Sequence, residues 1–552
     1  MSLILFALPF FLSSCTTSPR LMGPNQKQDH QLEEQSASSN NCELYEKHII
    51  ALDTRGGFIP VTFKPAPDGK KCKFEIGELQ LENRRNSASE QIDKVFEGIR
   101  ASTKDPFIFI HGGLNNYKDS LNRVLEDAQK ITKHGQYYPI FIIWPSGIET
   151  YWDSLAGYFQ GEWDRSLDSS MSPFKLITDA VTIPVRLMTN YATSFRLTTD
   201  SACLNGDTGD PRLRIPWCRN LEKNNDSYLI NDPCKKNIQK IPGFHCIEVK
   251  EEDLYSFFDF HDLITLPAKL VTIPLVDPFT KRGWNSMNAR IRFAFRTPCP
   301  IDRFTPGNCE PGFVYEFFKT YRDQFANSDK KITLFGHSMG AILSGEIIRE
   351  FSDLQYKAVI FGGAAINIRE FKNTIETALK EKEKKYKEYS DLIKQLRSLK
   401  SDISVSERMD ETIARFEYLQ KNYEPFKFYN LSLHPFAEST EDNFYGLAPN
   451  GSLLEWIDLH IENPADTLDR TLGKWVNITS ILATQAHPSD NYFDSNLLTK
   501  GYMHFSRFGL NKNQPLRHAH FGDSFYLEYW KPENWIQDTE IRQAGPSLSN
   551  MY

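Results

Sequence analysis

The sequence predicts an α/β fold built on a doubly wound, mostly parallel sheet, and three observations carry that expectation. Four short, largely apolar runs have the length and composition of parallel strands covered on both faces: Phe107-Ile108-Phe109-Ile110, Ile140-Phe141-Ile142-Ile143, Lys331-Ile332-Thr333-Leu334-Phe335 and Ala358-Val359-Ile360-Phe361. A helix-length segment, 118–134, separates the first two, which is the grammar of a βαβ unit. The pentapeptide Gly336-His337-Ser338-Met339-Gly340 then joins the third run to a stretch of helical composition, 341–351, giving the order strand, tight turn, helix.

With 552 residues the chain is long enough to bury a large core. Its 40% hydrophobic and 24% charged residues speak against wholesale disorder and against a polytopic membrane protein. A net charge of -7 and the lack of Lys/Arg runs interleaved with aromatics exclude a polyphosphate-binding surface, so nucleic acid is not an expected partner.

From the start of the chain, segment 1–14 contains an apolar stretch, 3–12, too short to span a bilayer but suited to a signal-peptide core. Leu12-Ser13-Ser14-Cys15 resembles the bacterial lipobox, which implies lipidation at Cys15, a membrane tether and an envelope location, and with Thr16 and Thr17 following, the same resemblance implies sorting to the outer membrane. The other reading of the stretch is a buried apolar strand. Residues 15–41 are polar and read as a flexible lipidated tether. Segment 42–104 follows, and its two cysteines begin an even set of eight: Cys42, Cys72, Cys203, Cys218, Cys234, Cys246, Cys299 and Cys309. Pairing neighbours gives four disulfides, Cys42 with Cys72, Cys203 with Cys218, Cys234 with Cys246 and Cys299 with Cys309, although eight cysteines allow about 105 connectivities. An oxidising compartment is the corollary. No CxxC spacing points to a metal, and no cofactor is expected.

The expected core comprises 105–150, 312–368 and 424–552, interrupted twice. Segment 151–311 holds six of the eight cysteines and two weakly similar apolar segments, 176–188 and 263–276, which suit either a lid or packed core. Segment 369–423 is dense in Lys, Glu, Leu and Ile, without Gly or Pro, and should be a solvent-facing helical hairpin.

A serine between the glycines of such a turn is presented above the sheet edge, so Ser338 is the candidate nucleophile. His111-Gly112-Gly113-Leu114, at the end of the first run, offers backbone N–H groups of Gly113 and Leu114, with that of Met339, as an oxyanion hole; His111 itself reads as structural. These motifs, with Phe141 to Gly147 and with Tyr151 and Asp153, resemble the α/β-hydrolase superfamily, more narrowly bacterial hydrolases of unknown function. The resemblance covers roughly 105–155 and 315–530 and implies a Ser, acid, His triad in that chain order. It implies Asp442 as the acid after the strand 426–433, with Glu438 and Glu441 as alternatives. The base is expected in Arg517-His518-Ala519-His520-Phe521-Gly522-Asp523, with His520 favoured and His518 the alternative, while His434, His460, His487 and His504 read as structural or surface histidines. The expected activity is ester hydrolysis, esterase or lipase-like, on an ester or lipid substrate; the rival is a non-catalytic envelope lipoprotein that uses the scaffold to bind a partner.

Overall fold

The computed structural model describes residues 42–67, 72–77, 84–113, 117–134, 136–146, 242–246, 284, 287–295, 311–325, 328–402, 407–439, 441, 451–462, 464, 466–484, 493–508, 515, 517–522 and 528–531. The expected signal segment 1–14, Cys15, the tether, Leu114 and Asp442 lie outside these residues, as do the other three expected cysteine pairs in whole or in part.

Eight strands form one sheet: β1 (Ile49–Ala51), β4 (Asp105–Ile110), β5 (Tyr137–Ile143), β6 (Phe244–Cys246), β7 (Ile332–His337), β8 (Tyr356–Gly362), β9 (Lys427–Leu433) and β10 (Met503–Phe508). Their order across the sheet is β1-β5-β4-β7-β8-β9-β10-β6, and every neighbouring pair is parallel. A separate antiparallel pair, β2 (Val61–Pro65) and β3 (Cys72–Ile76), is tied back by the disulfide between Cys42 and Cys72.

The apolar runs become strands because helices cover both faces. Along β4, Ile108 and Ile110 enter one core and Phe107 and Phe109 the other. The same alternation continues in β5, where Ile140 and Ile142 oppose Phe141 and Ile143, and in β8, where Val359 and Phe361 oppose Ala358 and Ile360. Helices α1 (Arg84–Ala101), α3 (Phe313–Phe325) and α4 (Gly340–Glu350) contribute to the first core. Helix α2 (Tyr117–His134) contributes Leu121, Val124, Ala128 and Ile131 to the second, a spacing that places all four on one helical stripe. The expected hairpin is present as α5 (Thr377–Asp402) and α6 (Glu407–Asn422).

Two segments outside the expected core also serve this body. Segment 42–104 supplies the edge strand β1 and the core residues of α1. Segment 151–311 supplies the opposite edge strand β6, and its Trp284, Ile291 and Ala294 are buried in the first core.

The direction of winding reverses between β4 and β7. After β4 the chain crosses by α2 on one face to β5; after β7 it crosses by α4 on the other face to β8. Right-handed crossovers in opposite directions require opposite faces, and the carboxyl ends of two such strands are the switch point at which open α/β sheets place their ligand sites.

The disulfide spans 30 residues with its Cα atoms 5.7 Å apart. Loop-closure entropy assigns such a cross-link roughly 3–4 kcal/mol. The Cys42→Ser, Cys72→Ser double variant is therefore expected to unfold at clearly lower denaturant concentration than the parent, measured by tryptophan fluorescence; an unchanged midpoint would mean that β2 and β3 do not depend on the cross-link.

Candidate active site at the ends of β4 and β7

Ser338 occupies the turn between β7 and α4 with a φ of 52°, and Glu528 is the only other non-glycine residue at positive φ among those described. For a side chain with a Cβ this conformation costs about 1–3 kcal/mol and persists only where the surroundings impose it. Here they do. The Ser338 N–H donates to the Gly362 carbonyl at 2.9 Å, and its own carbonyl accepts from Ala341 at 3.1 Å and Ala365 at 3.0 Å.

The flanking glycines provide space. A Cβ on Gly340 would overlap the carbonyl oxygen of Ile110 and come within 2.9 Å of that of His111, while one on Gly336 would lie 2.6 Å from the Ser344 Oγ and 2.8 Å from Ala341. Neither glycine is at positive φ, so the turn needs their small size. On the facing loop, a Cβ on Gly112 would lie 2.8 Å from the Ser338 Cβ. The two strand ends thus meet through backbone.

Two of the three residues expected to supply oxyanion donors, Gly113 and Met339, are in contact through the Met339 side chain. A Cβ on Gly113 would lie 2.5 Å from the Met339 Sδ, so the two residues are direct neighbours; Met339 itself is buried. Met339 caps α4 without any side-chain hydrogen bond, which leaves the positive end of the helix beside Ser338. His111 is structural, as expected: its Nε2 accepts from the Trp144 N–H at 3.2 Å, its Nδ1 pairs with the Gly112 carbonyl at 2.7 Å, and its ring stacks on Trp144. Burial holds it neutral, at about 4.

The loop carrying the candidate bases forms a 3-10 turn, His518–Gly522. With three residues per turn, side chains two apart diverge by about 120° around the axis, so His518 and His520 point in different directions. The His518 ring packs against Gly363 and His337. It sits 2.8 Å from where a Cβ on Gly363 would be, and its centroid is 5.3 Å from that of His337. Gly363, at a φ of 54°, is a glycine on both counts: conformation and room for the imidazole. His520 is half-buried, with its N–H on the Arg517 carbonyl. The Ser338 Oγ and the His518 Nε2 are both buried, and neither has a hydrogen-bond partner among the described residues. Buried polar atoms left in that state mark a place where a ligand, a water or a movement completes the bonding. Burial also pushes the His518 imidazole down to about 4.

After β9 come the acids. Glu441 accepts the His518 backbone N–H at 3.0 Å and is pushed up to about 7 by burial, against the pull of that hydrogen bond and of Arg517. Glu438 belongs to a different network. It accepts from the Ser452 hydroxyl at 2.7 Å, beside Lys474, which pairs with Glu455 and lies 3.7 Å from Asp458. Asp458 in turn accepts from the Thr471 N–H and from Asn477. Burial raises the Glu438 carboxyl well above the usual range, with Lys474 opposing, and keeps it neutral. Among the described residues no three His, Cys, Asp or Glu side chains converge to hold a metal ion.

Sequence reasoning missed His337, Gly363 and Lys474. The doublet Gly362-Gly363 directly after a buried strand was the available signal for the second; the others carry none, because their roles arise from contacts across the sheet edge.

Two outcomes follow from this geometry. Ser338→Gly removes the Cβ penalty and is expected to raise stability by about 1 kcal/mol, whereas Ser338→Ala keeps the penalty; equal unfolding midpoints for the two variants would show that the turn is unstrained. For Glu438, the folded chain holds a proton that the unfolded chain has lost, so stability falls as pH rises from about 4.5 towards the raised folded value. Glu438→Gln is expected to flatten that fall and to exceed the parent in melting temperature at pH 9 but not at pH 4; parallel pH profiles would rule out a neutral Glu438. Compared with protein-family models, with curated proteins and with solved structures, the chain finds no match in any of the three.

Proposed function

We propose that this chain is a serine hydrolase of α/β-hydrolase type that cleaves a carboxylic ester through an acyl-enzyme on Ser338. The observation that carries the reading is the strained Ser338 turn at the winding reversal, with its Oγ and the His518 Nε2 both buried and unpartnered. The strand order supports it: nucleophile after β7, acids after β9 and histidines after β10.

In this mechanism His518 Nε2 takes the Ser338 hydroxyl proton as Oγ adds to the ester carbonyl carbon. The oxyanion is stabilised by the backbone N–H groups of Met339 and Gly113 and by the positive end of α4. Collapse breaks the bond to the alcohol oxygen, and His518 returns the proton to that leaving group. Water then gives a proton to His518 and its oxygen to the acyl carbon. The carboxylic acid departs as the proton returns to Ser338. His518 serves as base in this reading in place of the sequence favourite, His520, because its ring is the one that packs on Gly363 and His337. Asp442 or Glu441 would orient it. Lipidation at Cys15, an envelope location and a lipid substrate belong to the same proposal and rest on the sequence alone.

A fluorophosphonate probe is expected to label the purified protein, with peptide mapping to Ser338, and Ser338→Ala is expected to abolish both labelling and hydrolysis of a short-chain aryl ester. Labelling elsewhere, or none, would overturn the reading. His518→Ala should lose three to four orders of magnitude in turnover, as removal of a triad member does, and His520→Ala a modest factor; the reverse ranking returns the base to His520. With burial depressing the imidazole to about 4, the acid limb of kcat/KM should lie below pH 6.5. A limb at or above 6.5 would place the base in a wetter or more anionic setting.

A further inference from the structure

We infer that His337, the residue before the nucleophile, is a positioning residue that fixes the base-bearing turn against the serine-bearing turn; the inference rests on the reading of Ser338 and His518 as nucleophile and base. His337 ends β7 and is buried, and its Nε2 lies 3.0 Å from the backbone carbonyl of His518. Since that partner can only accept, Nε2 carries the proton, and Nδ1 is left bare and without a partner among the described residues. The neutral tautomer suits the site. Burial, together with His518 and Arg123 nearby, holds the His337 imidazole well below its ordinary value, so the ring stays a single-proton donor.

The opposite end of the same residue is held as well. The His518 N–H donates to Glu441 at 3.0 Å, so both backbone polar groups of His518 are engaged by side chains from two other parts of the fold. A short 3-10 turn has few hydrogen bonds of its own, and without such contacts the ring direction of His518 would be set by packing alone. The two imidazoles also pack against each other, tilted by 36° with centroids 5.3 Å apart, which restricts the swing of the base. There is little space for adjustment: a Cβ on Gly112 would lie 3.1 Å, and one on Gly522 3.4 Å, from the His337 Nδ1. One hydrogen bond therefore ties residue 337, adjacent to the nucleophile, to the residue that would deprotonate it.

The test compares the full-length parent with His337→Gln, which retains an N–H near the Nε2 position, and His337→Phe, which retains the ring and loses the donor. His518→Ala and Ser338→Ala serve as references, with hydrolysis of an aryl ester and the fluorophosphonate labelling rate as readouts. His337→Phe should lose about 10²-fold in kcat and in labelling rate with KM nearly unchanged, the scale of a misplaced catalytic group, and His337→Gln should recover most of it. If His337→Phe fails to fold by circular dichroism, His337→Leu and His337→Asn supply the donor-free and short-donor arms. A donor-free variant with parental kcat and labelling rate, while His518→Ala is slow, overturns the inference and leaves the base assignment standing. Equal losses in the Gln and donor-free variants also overturn it, since volume and not the hydrogen bond would then matter. Parental rates in His518→Ala and Ser338→Ala would defeat the underlying reading itself.

Discussion

The contact on which the rest of the molecule depends is the backbone-to-backbone approach of the loops leaving β4 and β7. Gly340 lies against the carbonyls of Ile110 and His111, Gly336 against Ala341 and Ser344, and Gly112 against the Ser338 Cβ. Any side chain at these three positions would push α4 away from the sheet edge. With α4 held there, the chain between β7 and the helix has two residues in which to reverse direction, and Ser338 takes the left-handed conformation as a result. The energy that maintains this strain comes from elsewhere: β4 and β7 are central strands with both faces buried, and they cannot shift to relax a single turn.

Burial sets the proton inventory around this contact. His111, His337, His434 and His518 are all depressed by desolvation and neutral near pH 7, while Glu438 is raised and neutral as well. Beyond β9 the buried cation Lys474 is compensated by Glu455 and Asp458. Uncompensated charge inside the site would be costly. The surroundings thus hold the imidazoles of His337 and His518 neutral.

How much of this was legible in the sequence depended on the range of the interactions involved. The central strands were, because burial on both faces writes itself as unbroken apolar runs, and the α5 and α6 hairpin was, because its charge and lack of Gly and Pro are local. The edge strands β1 and β6 were not: at three residues each they exist through pairing with β5 and β10, and nothing in Phe244-His245-Cys246 distinguishes it from the cysteine-rich segment around it. The strand-turn-helix at Ser338 was read in place, whereas the different directions of His518 and His520 come from a 3-10 conformation that composition does not encode. Glu441 and Glu438, three residues apart, were equivalent acids in sequence; only the location of Ser452 and Lys474 beside one and of the His518 N–H beside the other separates them.

The layer arrangement explains why the parts converge at Ser338. Along β7, Phe335 points into the core that also holds α2 and Phe521, and His337, two residues on, faces the same side. The 3-10 turn His518–Gly522 therefore approaches from that layer, anchored by Phe521 packing on Phe508. Helix α4 buries Ala341, Leu343 and Ile347 in the opposite layer. Ser338 stands on the rim between the two, at the N-terminal end of α4 on one face and next to His337, which faces the other. The reversal of winding between β4 and β7 is what opens the rim to both layers, and the site's chemistry is in that sense a property of the strand order.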